Sequence, residues 1–104
     1  MISTEIVDVV QGCPAARIPV DLDYFIMGHG WKQVGQGVSN DQGLIETFGE
    51  SPAAGIYRLS FDVASYAPDA LFPSISVVIE VRNADADYHL PLLLSGYSYT
   101  IYRA

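Results

Sequence analysis

Hydrophobic and polar residues alternate with a period of two in several short stretches, the spacing of strands that bury one face. In 74–82, Ile75, Val77, Ile79 and Val81 point one way while Ser74, Ser76, Glu80 and Arg82 point the other. In 56–61, Tyr57, Leu59 and Phe61 alternate with Ile56, Arg58 and Ser60. Towards the C-terminus, Leu90, Leu92 and Leu94 share one face, His89, Pro91 and Leu93 share the other, and a turn at Ser95-Gly96 leads into a last strand. A further strand continues from Val20 through Asp23-Tyr24-Phe25-Ile26 to a turn at Gly28-His29-Gly30. Breaks at Gly12 with Pro14, Gly35 with Gly37, Asn40 to Gly43, Ser51-Pro52, Pro68, Pro73, Asn83 to Asp87 and Gly96 recur roughly every eight to twelve residues, as in a sandwich or barrel. The pattern predicts an all-β chain of about eight short strands in two packed sheets. A short helix is expected only within 62–69, where Pro68 would end it early.

Composition narrows the class. A chain of 104 residues, half of them hydrophobic, has room for one domain over 1–104 with a single core. The net charge is −7 and no Lys/Arg cluster occurs, while acidic pairs do: Asp21 with Asp23, Asp85 with Asp87, Glu46 with Glu50. Nucleic acid and anionic membrane are therefore poor partners, because both need neutralising cations. The lone Cys13 cannot close an internal disulfide, and with His29 and His89 it is too little for a metal site, so no metal or other cofactor is expected. The opening Met1-Ile2-Ser3-Thr4-Glu5 lacks a basic leader, and no apolar run approaches membrane-spanning length, which predicts a cytoplasmic protein.

The segment Tyr88-His89-Leu90-Pro91-Leu92-Leu93-Leu94-Ser95, followed by Tyr97-Ser98-Tyr99-Thr100-Ile101-Tyr102-Arg103, resembles the C-terminal signature of the 5-hydroxyisourate hydrolase and transthyretin-like family. Ile6-Val7-Asp8 running to Gly12-Cys13-Pro14-Ala15 is similar to the family's first strand and its G-x-P-A turn. Trp31, Gly55-Ile56-Tyr57-Arg58-Leu59-Ser60-Phe61-Asp62 and Phe72-Pro73 follow in the family's order. The resemblance covers nearly the whole chain. It implies a transthyretin-like sandwich of two four-stranded sheets with one short helix, assembled as a homotetramer, a dimer of dimers. Two dimers would meet over one sheet face and leave a channel lined by Glu5, Val7, His89, Pro91, Leu93, Thr100 and Tyr102.

The hydrolases of this family open a ring with a His in the first strand, an Arg after an Asp-Gly pair, and the His of the YHVPLLLS segment. Here Glu5 occupies the first His position and Leu44 the Arg position, while His89, Tyr102 and Arg103 remain and Ala104 stands in place of a Gly-Ser ending. Transthyretin lacks both His and the Arg, so the chain lies between the two patterns. Ring hydrolysis needs a base to activate water and a donor or cation for the developing oxyanion. Glu for His keeps a base and removes a cation; Leu for Arg removes a planar donor suited to an acidic heterocycle. The altered site favours a neutral or cationic, flatter and more apolar molecule over an anionic one. With Glu5 beside His89, the carboxylate would orient the imidazole, and Tyr102 would donate a proton or bind an oxyanion.

These residues therefore stand as catalytic (Glu5, His89, Tyr102) and substrate-binding (Val7, Leu44, Pro91, Leu93, Thr100, Arg103). The leading expectation is a repurposed enzyme performing cyclisation, hydrolysis or isomerisation of a neutral small cyclic molecule. A non-catalytic, transthyretin-like binding protein is the alternative, and an authentic 5-hydroxyisourate hydrolase is third. Each residue also has a structural reading. A strand His is more often a packing residue than a catalyst, Glu5 alone is a solvated acid, and Tyr102 belongs to a tyrosine-rich strand. Asp8, Trp31 and Tyr57 read as structural, and His29 as a loop tip.

Overall fold

The computed structural model describes residues 1–49 and 52–104; Glu50 of the acidic pair and Ser51 of the Ser51-Pro52 break lie outside the described residues. Among the described residues nine strands follow one another: β1 (Ile2–Asp8), β2 (Cys13–Pro14), β3 (Pro19–Ile26), β4 (Gly30–Val38), β5 (Leu44–Ile45), β6 (Gly55–Asp62), β7 (Ser74–Val81), β8 (Tyr88–Leu94) and β9 (Tyr99–Ile101). They form two sheets. The second runs β4-β3-β6-β7 and is antiparallel throughout. The first runs β2-β1-β8-β9, with β1 and β8 parallel, and β5 also pairs with β1. It therefore has five strands where four were expected. The extra one arises because β2 and β5, each too short to show a period, lie one after the other along the same edge of β1, opposite Val7–Asp8 and Thr4–Glu5.

The alternation read from the sequence is the alternation of burial. Ile6 and Leu92 from the first sheet meet Val20, Leu59 and Phe61 from the second, all at most 1% exposed. Each such side chain contributes about 1.5–3 kcal/mol relative to leaving it in water. Tyr57 joins this core, while Trp31 lies on the outer face of the second sheet against Phe25 and under the Arg58 guanidinium.

The expected short helix is corrected. Among the described residues there is no helix; 62–69 makes one helical turn, in which the N–H groups of Tyr66 and Ala67 both donate to Val63 O at 3.0 and 2.8 Å, followed by a separate turn closed by Ala70 N–H on Ala67 O at 3.1 Å. The next helical bond would need an N–H from Pro68, which has none, so the costly nucleus is never extended. No helix of the described residues is long and apolar enough to cross a membrane.

Pro91 sits in β8, between two neighbours, where proline is usually excluded. Its carbonyl accepts from Tyr102 N–H at 3.4 Å, so its missing donor also faces the β9 side. Regular pairing with β9 ends one position earlier, at Leu92 opposite Ile101. The tail still follows β8, with Ala104 N–H donating to His89 O at 2.9 Å.

Candidate functional site

Alternation on β1 sends Ile2, Thr4, Ile6 and Asp8 inward and leaves Ser3, Glu5 and Val7 on the outer face. The parallel register with β8 sets Ser3 opposite His89, Glu5 opposite Pro91 and Val7 opposite Leu93. Antiparallel pairing adds Leu44 opposite Glu5 on one side and Thr100 opposite Leu93 on the other. The outer face thus carries cross-strand rows: Val7, Leu93 and Thr100; Leu44, Glu5, Pro91 and the half-exposed Tyr102; and Ser3 with His89.

Gly43 makes the Leu44 position possible. It has a φ of +75°, its carbonyl accepts from Ile6 N–H at 2.8 Å, and a Cβ there would collide with the Ile6 carbonyl. Asn40 completes the turn, its side-chain oxygen accepting from the Gln42 and Leu44 N–H groups at 2.9 and 3.0 Å.

His89 is held from both ring nitrogens. Its Nδ1 lies 2.8 Å from Ser3 Oγ, and its Nε2 lies 3.6 Å from Glu5 Oε1. The second distance is that of an ion pair when the imidazole is protonated, and too long for a hydrogen bond. The two side chains are 32% and 40% exposed, so solvent and a small molecule reach both. Glu5 and His89 are thus neighbours on this face, 3.6 Å apart. Val7, Leu44, Pro91, Leu93, Thr100 and Tyr102 share it. Arg103 lies apart: its guanidinium donates to Asp87 O at 2.8 Å and stacks 4.2 Å from the Tyr88 ring, at the sandwich edge near Ile79 and Leu90. Ser3 is the residue that sequence reasoning missed. Alternation places it on the face of Glu5, but only the register with a strand 86 residues away sets it against His89.

A second polar cluster lies at the far end of β1. Asp8 is buried; its Oδ1 accepts from the Val10 and Gln11 N–H groups, both at 3.0 Å, and its Oδ2 accepts from Tyr66 O–H at 2.8 Å. Burial pushes its carboxyl pKa up, but the bonds from Gln11, Tyr66 and Val10 outweigh this and hold it below the ordinary value. Burial and the Asp8 carboxylate push the Tyr66 phenol up to about 12. A cavity of about 450 Å³ opens beside them, lined also by Leu94 and Tyr97. Asp8 has the protein donors it needs, so this cluster reads as the clasp of the β1 turn. Among the described residues no three His, Cys, Asp or Glu side chains come together as a metal site. His29 stands exposed at the β3–β4 turn.

The sequence model of the HIUase/Transthyretin family matches residues 2–104. The chain is 34% identical to the 5-hydroxyisourate hydrolase of Salmonella dublin, over 99% of this chain and 79% of that protein. It is 33% identical to the uric acid degradation bifunctional protein TTL of Arabidopsis thaliana, over 98% of this chain but only 36% of that protein, so it spans about a third of that relative. Its structure superposes on sea bream transthyretin, solved in complex with thyroxine, with a TM-score of 0.92 and 28% identity, covering 99% of this chain and 93% of that one. Fold, register and sequence agree: the chain belongs to the HIUase/transthyretin family.

Proposed function

We propose that the outer face of the first sheet is a reaction site where Glu5 and His89, flanked by Tyr102, perform acid–base ring chemistry on a small neutral cyclic molecule. The reaction would be a hydrolysis, cyclisation or isomerisation, carried out in the cytoplasm. The observation that carries this reading is the Glu5–His89 pair, 3.6 Å apart, accessible, and fixed from behind by Ser3. A carboxylate and an imidazole at this separation can divide the roles of base and donor, worth about 10²–10⁴-fold in rate. Apo contacts of this kind tighten when substrate excludes water. The surroundings support the substrate class: Leu44, Val7, Pro91 and Leu93 give an apolar floor, and no cationic side chain is among these face residues to hold an anion. In the single chain this face is an open sheet surface. A second copy laid across it in a homotetramer would supply the opposite wall of a channel.

The apolar floor also favours a second reading, a binding protein without turnover, as sea bream transthyretin in complex with thyroxine suggests. The relatives described as 5-hydroxyisourate hydrolases make their substrate the natural first probe. Freshly generated 5-hydroxyisourate, hydantoin and succinimide, each followed by ultraviolet absorbance against a protein-free control, separate the readings. Accelerated ring chemistry on a neutral probe, lost in His89→Ala, is the expected result. Acceleration of 5-hydroxyisourate alone would favour the family hydrolase, and binding with no acceleration of any probe would favour the carrier.

A further inference from the structure

We infer that Ser3 is a nucleophile, activated by His89 and backed by Glu5, so that the site can form a covalent acyl intermediate. The inference rests on the reading of this face as a reaction site and adds a step to it. Ser3 and His89 are direct cross-strand partners, and the hydroxyl lies 2.8 Å from Nδ1. The hydroxyl proton is located by what stands on the other side of the ring. Glu5 Oε1 faces Nε2 at 3.6 Å. Were the ring proton on Nδ1, the Nε2 lone pair would point at a carboxylate; with the proton on Nε2, an N–H points at it. The second tautomer is favoured electrostatically, and it leaves Nδ1 as an acceptor with Ser3 O–H as its donor. Nucleophile, base and orienting acid are then in sequence, the arrangement by which Ser–His–acid sites are recognised whatever their fold or chain order. Here both Ser3 and Glu5 come from β1 and the base from β8, with the two imidazole nitrogens in exchanged roles relative to the serine proteases.

The chemistry balances. Ser3 Oγ attacks a ring carbonyl carbon as its proton passes to Nδ1, and the imidazolium is stabilised by Glu5. Collapse of the tetrahedral adduct breaks the ring C–N or C–O bond, and the departing atom takes the proton from Nδ1. Water, deprotonated by Nδ1, then attacks the acyl carbon; Ser3 Oγ leaves and recovers its proton. One water is consumed and no oxidant or metal is needed. The substrate class is a neutral cyclic imide, lactam or lactone, whose ring can rest against Leu44 and Pro91 on either side of Glu5 while Tyr102 O–H offers a donor from the same row.

The test is labelling of the intact protein by a fluorophosphonate probe, read by mass spectrometry with peptide mapping. Ser3 Oγ would displace fluoride and keep the phosphonyl group, adding one label per chain at Ser3. Ser3→Ala should abolish the adduct, and His89→Ala should slow it by at least about 100-fold. The absence of an adduct at Ser3, an adduct confined to a tyrosine, or labelling undiminished in His89→Ala would overturn the inference. The two readings fail separately. Ring turnover that persists at full rate in Ser3→Ala removes the nucleophile and leaves acid–base catalysis standing. Labelling at Ser3 with no ring turnover does the reverse.

Discussion

Strand β1 carries two carboxylates three residues apart that have opposite fates. Asp8, at its end, is buried and takes three hydrogen bonds from protein donors. Glu5, in its middle, is substantially exposed and faces one imidazole across 3.6 Å. Both are acids on one strand; the pleat turns one towards the core and the other to the outer face. Satisfied polarity in the interior fixes structure, since stripping a partner leaves the others unpaired. Polarity left short of partners on an accessible face is available to a ligand. The contrast separates the two clusters more firmly than residue type does.

The comparison breaks most visibly in turnover. Glu5→Gln and His89→Ala should each lower ring turnover by about 10²–10⁴-fold. Their melting temperatures should stay near wild type, with His89→Ala losing at most about 1 kcal/mol along with its part-buried Ser3 contact. Asp8→Ala should do the opposite. It orphans two backbone donors and the Tyr66 hydroxyl, at about 1–3 kcal/mol, and lowers Tm by roughly 4–8 °C per kcal/mol while the folded fraction keeps its turnover. Thermal scans at one fixed protein concentration, paired with kcat, distinguish the patterns.

Leu44→Arg sharpens the contrast further. It would give Glu5 a cationic neighbour and make it resemble Asp8, reducing turnover of neutral probes by about tenfold, the equivalent of about 1.4 kcal/mol. Affinity for acidic heterocycles, measured by calorimetry, should rise.

The smallest effect is in pH. Because the folded-state pKa of Tyr66 is raised, its contribution is complete below the ordinary value of 10.0 and is lost as pH climbs towards about 12. Asp8, with its pKa lowered, contributes above the unfolded carboxylate value and loses that contribution as pH falls through its folded value. Tyr66→Phe should cost about 1 kcal/mol at neutral pH and flatten part of the alkaline loss in denaturant titrations.

Much of this was legible in the sequence. Period-two alternation placed Leu59, Phe61, Ile75 and Leu92 in the core because a half-buried strand leaves no other arrangement. The family resemblance, with the same alternation, marked Glu5, His89 and Leu44 as positions to watch. Four features were not legible, each for a physical reason. The helix at 62–69 failed because Pro68 cannot supply the second helical bond, so local propensity had only one turn to act on. Strands β2 and β5, two residues each, carry no measurable period. The Ser3–His89 contact depends on a parallel register between strands at opposite ends of the chain, which no local pattern encodes. Arg103 stacks on Tyr88 while its neighbour Tyr102 stays on the outer face, a consequence of the same alternation that the motif alone does not reveal.

The most direct test of the central claim, that Glu5 and His89 act as one catalytic unit on this face, is a double-substitution cycle. Ring-turnover rates would be measured for wild type, Glu5→Gln, His89→Ala and the double variant on the same neutral probe. Groups that act together lose their effect together, so the double variant should be no more than about threefold slower than the worse single one. Losses that multiply, or single variants as fast as wild type, would contradict it.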